Sequence, residues 1–141
     1  MNPTLVLAVV AGAAIAVQVV ANSIGLRVLG VGGLIGISGL TTGLVGFTVA
    51  LFLSRPEFTG RAVSCAIASG LLGAFIVGSI TIAAGQGGLA QTLSLVIASQ
   101  LILGVVIDRL GVFGPASQDI GVLKILGIAL ILIGGVLVVR S

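Results

Sequence analysis

The sequence predicts an all-α integral membrane protein, a bundle of five transmembrane helices in a single domain over residues 1–141. The main observation is that Asp, Glu, Lys and Arg are missing from three long stretches, residues 2–26, 28–54 and 62–107. The chain is 58% hydrophobic and only 6% charged, whereas about 25% of the residues of a soluble domain are charged. We therefore expect lipid, and not water, to surround most of the molecule.

The thickness of the bilayer divides these stretches into spans. About 20 apolar residues of helix, rising about 1.5 Å each, cross the hydrocarbon core. The third stretch is 46 residues long and must cross twice, so it contains a turn, predicted at the glycine-dense patch Gly85-Gln86-Gly87-Gly88. The predicted spans are about residues 3–24, 33–53, 62–84, 89–107 and 120–139.

The charged residues indicate orientation. Lys and Arg total six against three acidic residues, and the pI of about 10.6 would indicate a nucleic-acid ligand in a soluble protein. Here the basic residues lie at the ends of spans, so no nucleic-acid partner is expected. Four of them fall on the side of the amino terminus and two on the other side, which favours a cytoplasmic amino terminus. Because this bias is small, insertion in both orientations stays open.

Several classes of chemistry are not expected. The sequence holds one cysteine, Cys65, and no histidine, which excludes an internal disulfide and the common Cys- and His-based metal sites. It has no nucleophile–base pair and no phosphate-binding glycine motif. No Asp or Glu lies inside a predicted span, whereas proton-coupled transporters generally titrate such a carboxylate. We therefore expect no enzyme, no metal, no cofactor and no simple proton antiport.

Small residues recur every three or four positions along three predicted spans. Such a stripe lets another helix backbone approach closely, which supplies much of the association between helices in lipid. We interpret most of these glycines as packing contacts within one protomer. They are Gly36, Gly39, Gly43 and Gly46 in the second span, Gly70 and Gly73 in the third, and Gly127, Gly134 and Gly135 in the fifth.

Three amide side chains lie where they could face a cargo. Gln18 and Asn22 are four residues apart and so share a face of the first helix, with Gln18 near the bilayer centre. Gln100 lies about 12 Å inside the fourth helix, and its depth favours it over Gln91. Interhelical hydrogen bonding, worth about 1 kcal/mol, is the alternative role. Hydroxyls expected to donate to the preceding turn are Ser38, Thr41, Thr42, Ser94 and Ser99.

The end of the fourth span carries Asp108 and Arg109, followed by glycines and a proline. This pattern is typical of a helix that stops at the membrane surface. A second role stays open, because Asp108 is predicted to lie on the same side of the membrane as Arg55 and Arg61. Pairing of Asp108 with either arginine would gate access from that side.

Three stretches of the chain carry a recognisable pattern: VQVVANSIGLRVLG at 17–30, ASQLILGVVIDRLGVFG at 98–114 and KILGIALILIGGVLVV at 124–139. Together they resemble the YdcZ-type branch of the drug/metabolite transporter superfamily. In that family the first helix ends with a Gln and an Asn, here Gln18 and Asn22, and the fourth helix carries a Gln followed by an Asp, here Gln100 and Asp108. Departures from the family pattern include Ser99, which replaces the usual glycine, and the absence of tryptophan.

The resemblance implies a drug/metabolite transporter-like half repeat, a multi-pass exporter of small molecules in the inner (plasma) membrane. Five helices give little room within one chain for a closed pore or for a substrate cavity with two gates. We therefore expect an antiparallel homodimer, or a heterodimer with a similar chain of opposite topology, with a cleft between the oppositely inserted subunits. Gln18, Asn22 and Gln100 are expected to line the cleft, and this neutral lining favours a neutral, zwitterionic or weakly polar cargo.

A non-transporting role stays open as an alternative. The chain would then be a membrane partner or regulatory subunit of a larger complex, with its glycine faces docking another protein and its amides only joining helices. A neighbouring gene for a similar chain with reversed charge bias would favour the paired transporter, and an unrelated membrane enzyme would favour the subunit. A passive channel is disfavoured, since the sequence shows no ring of charge and no continuous polar stripe.

Overall fold

A computed structural model describes residues 2–53, 56–110 and 121–140, except for the side chain of Lys124. All regular secondary structure in these residues is helical. The chain divides into two compact units, Met1–Gly85 and Gln86–Ser141. The helices are α1 over Pro3–Leu53, α2 over Gly60–Gly87, α3 over Leu89–Arg109 and α4 over Val122–Arg140.

Helix α1 holds the first two predicted spans in one element of 51 residues. Asn2 caps its start, because the Asn2 Oδ1 accepts a hydrogen bond from the backbone N–H of Thr4 at 3.3 Å, and Pro3 has no N–H to leave unpaired. Within α1 only Gly30 departs from helical angles, with φ 66° and ψ 175°. This region of backbone space is essentially restricted to glycine, so Gly30 is the position at which the helix kinks.

The two halves of α1, residues 3–29 and 31–53, fold back on each other at this kink. If α1 were straight, Gln18 and Thr42 would lie about 36 Å apart. Both residues nevertheless line the same cavity of about 480 Å³. Nearer the kink, a Cβ built on Gly25 would lie 3.2 Å from Leu34 Cδ1. Helix α1 is therefore a helical hairpin.

Helix α2 packs against the second half of α1. Thr59 caps its start, because the Thr59 hydroxyl accepts a hydrogen bond from the backbone N–H of Ala62 at 3.4 Å. Further along, a Cβ built on Gly78 would lie 3.3 Å from Ile35 Cδ1 and 3.6 Å from Val31 Cγ1. The missing side chain of Gly78 thus allows the close contact, and the first unit consists of three helical segments.

The second unit contains α3 and α4. Only Gly88, with φ 86°, separates α2 from α3. The helices thus break at the last residue of the turn predicted at 85–88, and Gly85, Gln86 and Gly87 belong to α2. A Cβ built on Gly135 of α4 would lie 3.7 Å from the backbone oxygen of Ser94 on α3, which is an ordinary van der Waals distance. The two helices of this unit therefore approach each other across small residues, as expected for helices in lipid.

The membrane character of the chain is confirmed. Among the described helices, α1, α2 and α3 are long and apolar enough to cross a membrane, and Ile125–Arg140 in α4 forms a shorter apolar helix. The structure thus shows three candidate spans and one shorter apolar helix, whereas five spans were predicted. Residues 25–32, between the first two predicted spans, are helical except at Gly30, where the chain reverses.

Most large apolar side chains are exposed. Among the described residues, Val19 and Leu34 are the buried hydrophobic side chains, at 5% and 7% exposure. In water such an apolar surface would drive association or aggregation, whereas in a bilayer the acyl chains cover it. The helices satisfy their own backbone hydrogen bonds, as a chain in lipid must.

Candidate functional site: a cavity in the first unit

An open cleft of about 480 Å³, here called the cavity, lies in the first unit between α2 and the two halves of α1. Its lining residues are exposed or partly exposed. Its lining residues on each helix recur at a spacing of three or four, and so share one helix face. The first half of α1 contributes a single residue, and the other two segments contribute five each. The lining residues are Gln18, Ile35, Ser38, Gly39, Thr42, Gly43, Ser69, Gly70, Gly73, Ala74 and Val77.

The cavity lies at the middle of all three segments. The midpoint of the first half of α1 is Ala16, two residues from Gln18, and the midpoint of the second half is Thr42. The midpoint of α2 falls between Gly73 and Ala74. Where these segments cross a bilayer, the cavity therefore lies near the midplane, at the depth where transporters commonly bind cargo.

Glycines open the space between α1 and α2. No neighbouring atom lies within 4 Å of a Cβ built on Gly39, Gly43, Gly70 or Gly73. Within the described structure the same holds for Gly36, Gly46, Gly127 and Gly134, so that of the nine glycines interpreted as packing contacts only Gly135 has a neighbour, on α3. The interpretation that most of these glycines pack within one protomer is therefore wrong for the described part of the chain.

The polar side chains of the cavity differ in their hydrogen bonding. The Ser38 hydroxyl donates to the carbonyl of Ile35 at 3.2 Å, and the Thr42 hydroxyl donates to that of Ser38 at 2.8 Å. The Gln18 carboxamide and the Ser69 hydroxyl make no hydrogen bond within the described part of the chain, so both keep donors and acceptors for an occupant. The predicted donation to the preceding turn is confirmed at Ser38, Thr41, Thr42 and Ser99.

The predicted cargo-binding residues are divided between the two units. Gln18 lines the cavity. Asn22, one helical turn further along, is only 9% exposed and is not a lining residue, and its carboxamide has no hydrogen-bond partner among the described residues. Gln100 is an exposed residue of α3, in the second unit. A site that combines Gln100 with Gln18 stays a prediction.

The predicted gate residues lie at helix ends. Asp108 is exposed in the last turn of α3, and Arg61 is exposed in the first turn of α2. Arg55 lies outside the described residues, so the pairing of Asp108 with either arginine stays a prediction. The described residues contain no group of three or more His, Cys, Asp or Glu side chains that could hold a metal ion.

Sequence reasoning missed the location of this cavity and Ser69 as one of its lining residues. A signal was present, since Thr42 lies three residues after Gly39 and Ser69 lies four residues before Gly73, which are spacings that share a helix face. Each glycine stripe thus carries a hydroxyl group. Glycines leave this space where larger side chains would fill it. Because the cavity is open, the expectation of little room for a closed pore or a cavity with two gates stays a prediction.

The comparisons with known proteins identify a family. A family model described as "Putative inner membrane exporter, YdcZ" matches residues 3–137, which include α1, α2 and α3 in full and most of α4. No match is found among curated proteins or among solved structures. The description is that of an exporter in the inner membrane and not that of an enzyme class.

Proposed function

The chain belongs to the YdcZ family, and from that premise we propose that it is a small-molecule transporter of the exporter type, multi-pass in the inner membrane. The observation that carries the proposal is the cavity of about 480 Å³ at the middle of three apolar segments. Pockets for small ligands typically measure about 300–1,000 Å³. The cavity is therefore of a suitable size for a small organic cargo.

The chain crosses the membrane five times in this proposal. The fold-back at Gly30 supports two crossings by α1, since its two halves are about 40 and 35 Å long. Helices α2, α3 and α4 have 28, 21 and 19 residues, so that even α4 extends about 28 Å, close to the thickness of the hydrocarbon core. An odd number of crossings places the two ends of the chain on opposite sides.

Two copies of opposite orientation, or one copy and a similar inverted chain, form the working transporter. Alternating access requires a midplane site that opens to each side in turn, and many transporters achieve this with two inverted repeats. This chain supplies one such repeat. The small charge bias, which permits both orientations, supports the pairing. Gln18, Asn22 and Gln100 then line the cargo path between the subunits.

The gate in this proposal is at the membrane surface. Asp108 carries a carboxylate at the end of α3, and Arg61 carries a guanidinium at the start of α2. An ion pair of Asp108 with Arg61 or Arg55, in one subunit or across the dimer, closes the path on that side and breaks when the subunits rock.

The orientation test places one reporter cysteine between α1 and α2. Phe58 is 72% exposed and precedes α2, so Phe58→Cys in a Cys65→Ser background provides a single thiol near the membrane surface. A membrane-impermeant maleimide should label about half of the copies in intact spheroplasts and the rest after permeabilisation, as expected for dual insertion. The Cys65→Ser variant alone is the blank. Labelling from one side only, without an inverted companion chain in the purified complex, rejects the antiparallel arrangement.

The transport test compares the small molecules released by cells. Cells that overproduce the chain should release at least one compound into the medium above the level of empty-vector cells. Gln18→Leu together with Gln100→Leu should abolish the excess at equal protein level. Gln86→Leu, at an exposed position in the last turn of α2, is the matched control and should keep it. Release that is unchanged by the double substitution contradicts the proposed lining and favours the regulatory-subunit role.

A further inference from the structure

The lining of the cavity contains no ionisable side chain among its described residues. It consists of four uncharged polar residues, four glycines and three apolar residues. The hydroxyl hydrogens of Ser38 and Thr42 are engaged by backbone carbonyls, so these two groups can only accept from an occupant. Gln18 and Ser69 can both donate and accept, because neither has a hydrogen-bond partner in the described structure.

This lining discriminates between classes of cargo by charge. A cation or an anion at the membrane midplane loses its hydration and needs an opposite charge or a dense set of dipoles in return. The described lining of the cavity offers neither a carboxylate nor a basic side chain. An uncharged occupant loses much less hydration, and its polar groups can be matched by a carboxamide and a hydroxyl.

We propose that the cavity binds an uncharged small molecule that carries a hydrogen-bond donor and a hydrogen-bond acceptor, such as a primary amide or a polyol. This inference rests on the proposed function and names the cargo class of the same site. Gln18 and Ser69 bind the polar end of the cargo. Its remaining surface lies against the backbone faces at Gly39, Gly43 and Gly70, where the missing side chains leave room.

The closing experiment measures binding without transport. Full-length protein in lipid nanodiscs is screened by ligand-observed NMR against a fragment library with equal shares of neutral, cationic and anionic compounds, with empty nanodiscs as the blank. The hits should be predominantly neutral compounds that contain both a donor and an acceptor. Gln18→Leu should weaken their binding about tenfold, because one hydrogen-bonding group is lost.

Two cavity-filling variants assign the hits to this cavity. Gly43→Leu and Gly70→Leu each place four carbon atoms in the space from opposite sides and should abolish binding of the neutral hits. Gly46→Leu is the matched control, because Gly46 is on the same helix as Gly43, also has no neighbour within 4 Å of a built Cβ, and does not line the cavity. Gly46→Leu should bind as the unmodified protein does.

A change of charge provides a readout that a purely structural role of Gln18 would not give. Gln18→Glu keeps the shape of the side chain and adds a carboxylate, so it should shift the hits from neutral to cationic compounds. Predominantly charged hits with the unmodified protein, neutral hits that survive both filling variants, or no hits at all would each overturn the cargo class. These results are independent of the labelling and release tests, so a failure of one proposal can be told from a failure of the other.

Discussion

The substitution Gly30→Ala tests whether the reversal of α1 organises the first unit. Gly30 has φ 66° and ψ 175°, a conformation that costs a residue with a Cβ about 1–3 kcal/mol. The alternative for the variant is to continue the helix and lose the hairpin together with the cavity. We expect the free energy of unfolding to fall by about 2 kcal/mol, which is about a thirtyfold change in the unfolding equilibrium constant.

Gly32→Ala is the matched control for this experiment. Gly32 lies two residues further on, has helical angles, and has no neighbour within 4 Å of a built Cβ. Alanine there should be neutral or stabilise the protein by about 0.4–1 kcal/mol, because it restricts the unfolded chain. The two variants are therefore expected to differ by about 2–3 kcal/mol, although both make the same chemical change.

The assay follows the hairpin directly. Leu5 and Leu53, near the two ends of α1, are both exposed and can be replaced by cysteine for fluorescent labels in a Cys65→Ser background. A straight helix would separate them by about 72 Å, whereas the hairpin brings the two halves together and gives high energy transfer. SDS titration in mixed micelles then yields the free energy of unfolding. Equal values for Gly30→Ala and Gly32→Ala would refute the role assigned to the kink.

Two further predictions concern the second unit. Gly135→Leu should lower the stability of the packing between α3 and α4 by about 1–3 kcal/mol, because a Cβ at Gly135 already lies 3.7 Å from the backbone oxygen of Ser94. Gly127→Leu should leave the stability unchanged, because a Cβ at Gly127 has no neighbour within 4 Å in the described structure. Thermal unfolding of the two purified variants measures the difference. Asp108→Asn removes the charge of the proposed gate at nearly constant shape and should change the release rate of the exported compound, whereas an unaltered rate at equal protein level would remove Asp108 from the gate.

The positions of the helices were largely predictable, whereas the reversal of α1 was not. Helix α2 begins two residues before its predicted span and ends three residues after it. The agreement is close because charged and glycine-rich segments mark where an apolar run must stop. Residues 30–33 contain three glycines in the order Gly30-Val31-Gly32-Gly33. Any of the three could adopt a positive φ, and only the contacts between the two halves of α1 select Gly30. Local pattern cannot make that choice.

The cavity was only partly predictable for a related reason. The depth of Gln18 followed from its distance to the ends of its span, and Gln18 does line the cavity. Ser69 was missed because its position depends on how α2 is rotated about its axis. In a soluble helix a polar face reveals that rotation, but α2 is apolar on nearly all sides. The glycines at positions 70 and 73 were the remaining signal, and they indicate either close packing or open space.

The presence of the cavity within one subunit bears on what the proposed inverted partner would do. If this open space of 480 Å³ were closed off and left empty, it would cost up to about 11 kcal/mol at about 24 cal/mol per Å³. In the membrane the space is therefore filled by cargo, lipid or water, or its walls approach each other. The glycine faces of α1 and α2 can approach closely, since no side chain at Gly39, Gly43, Gly70 or Gly73 opposes them. In the proposed mechanism a bound cargo holds the two faces apart, and its departure lets them close. The described walls of the cavity then belong to one chain, Gln100 lines the path between the subunits, and the proposed partner decides on which side of the membrane the cavity opens.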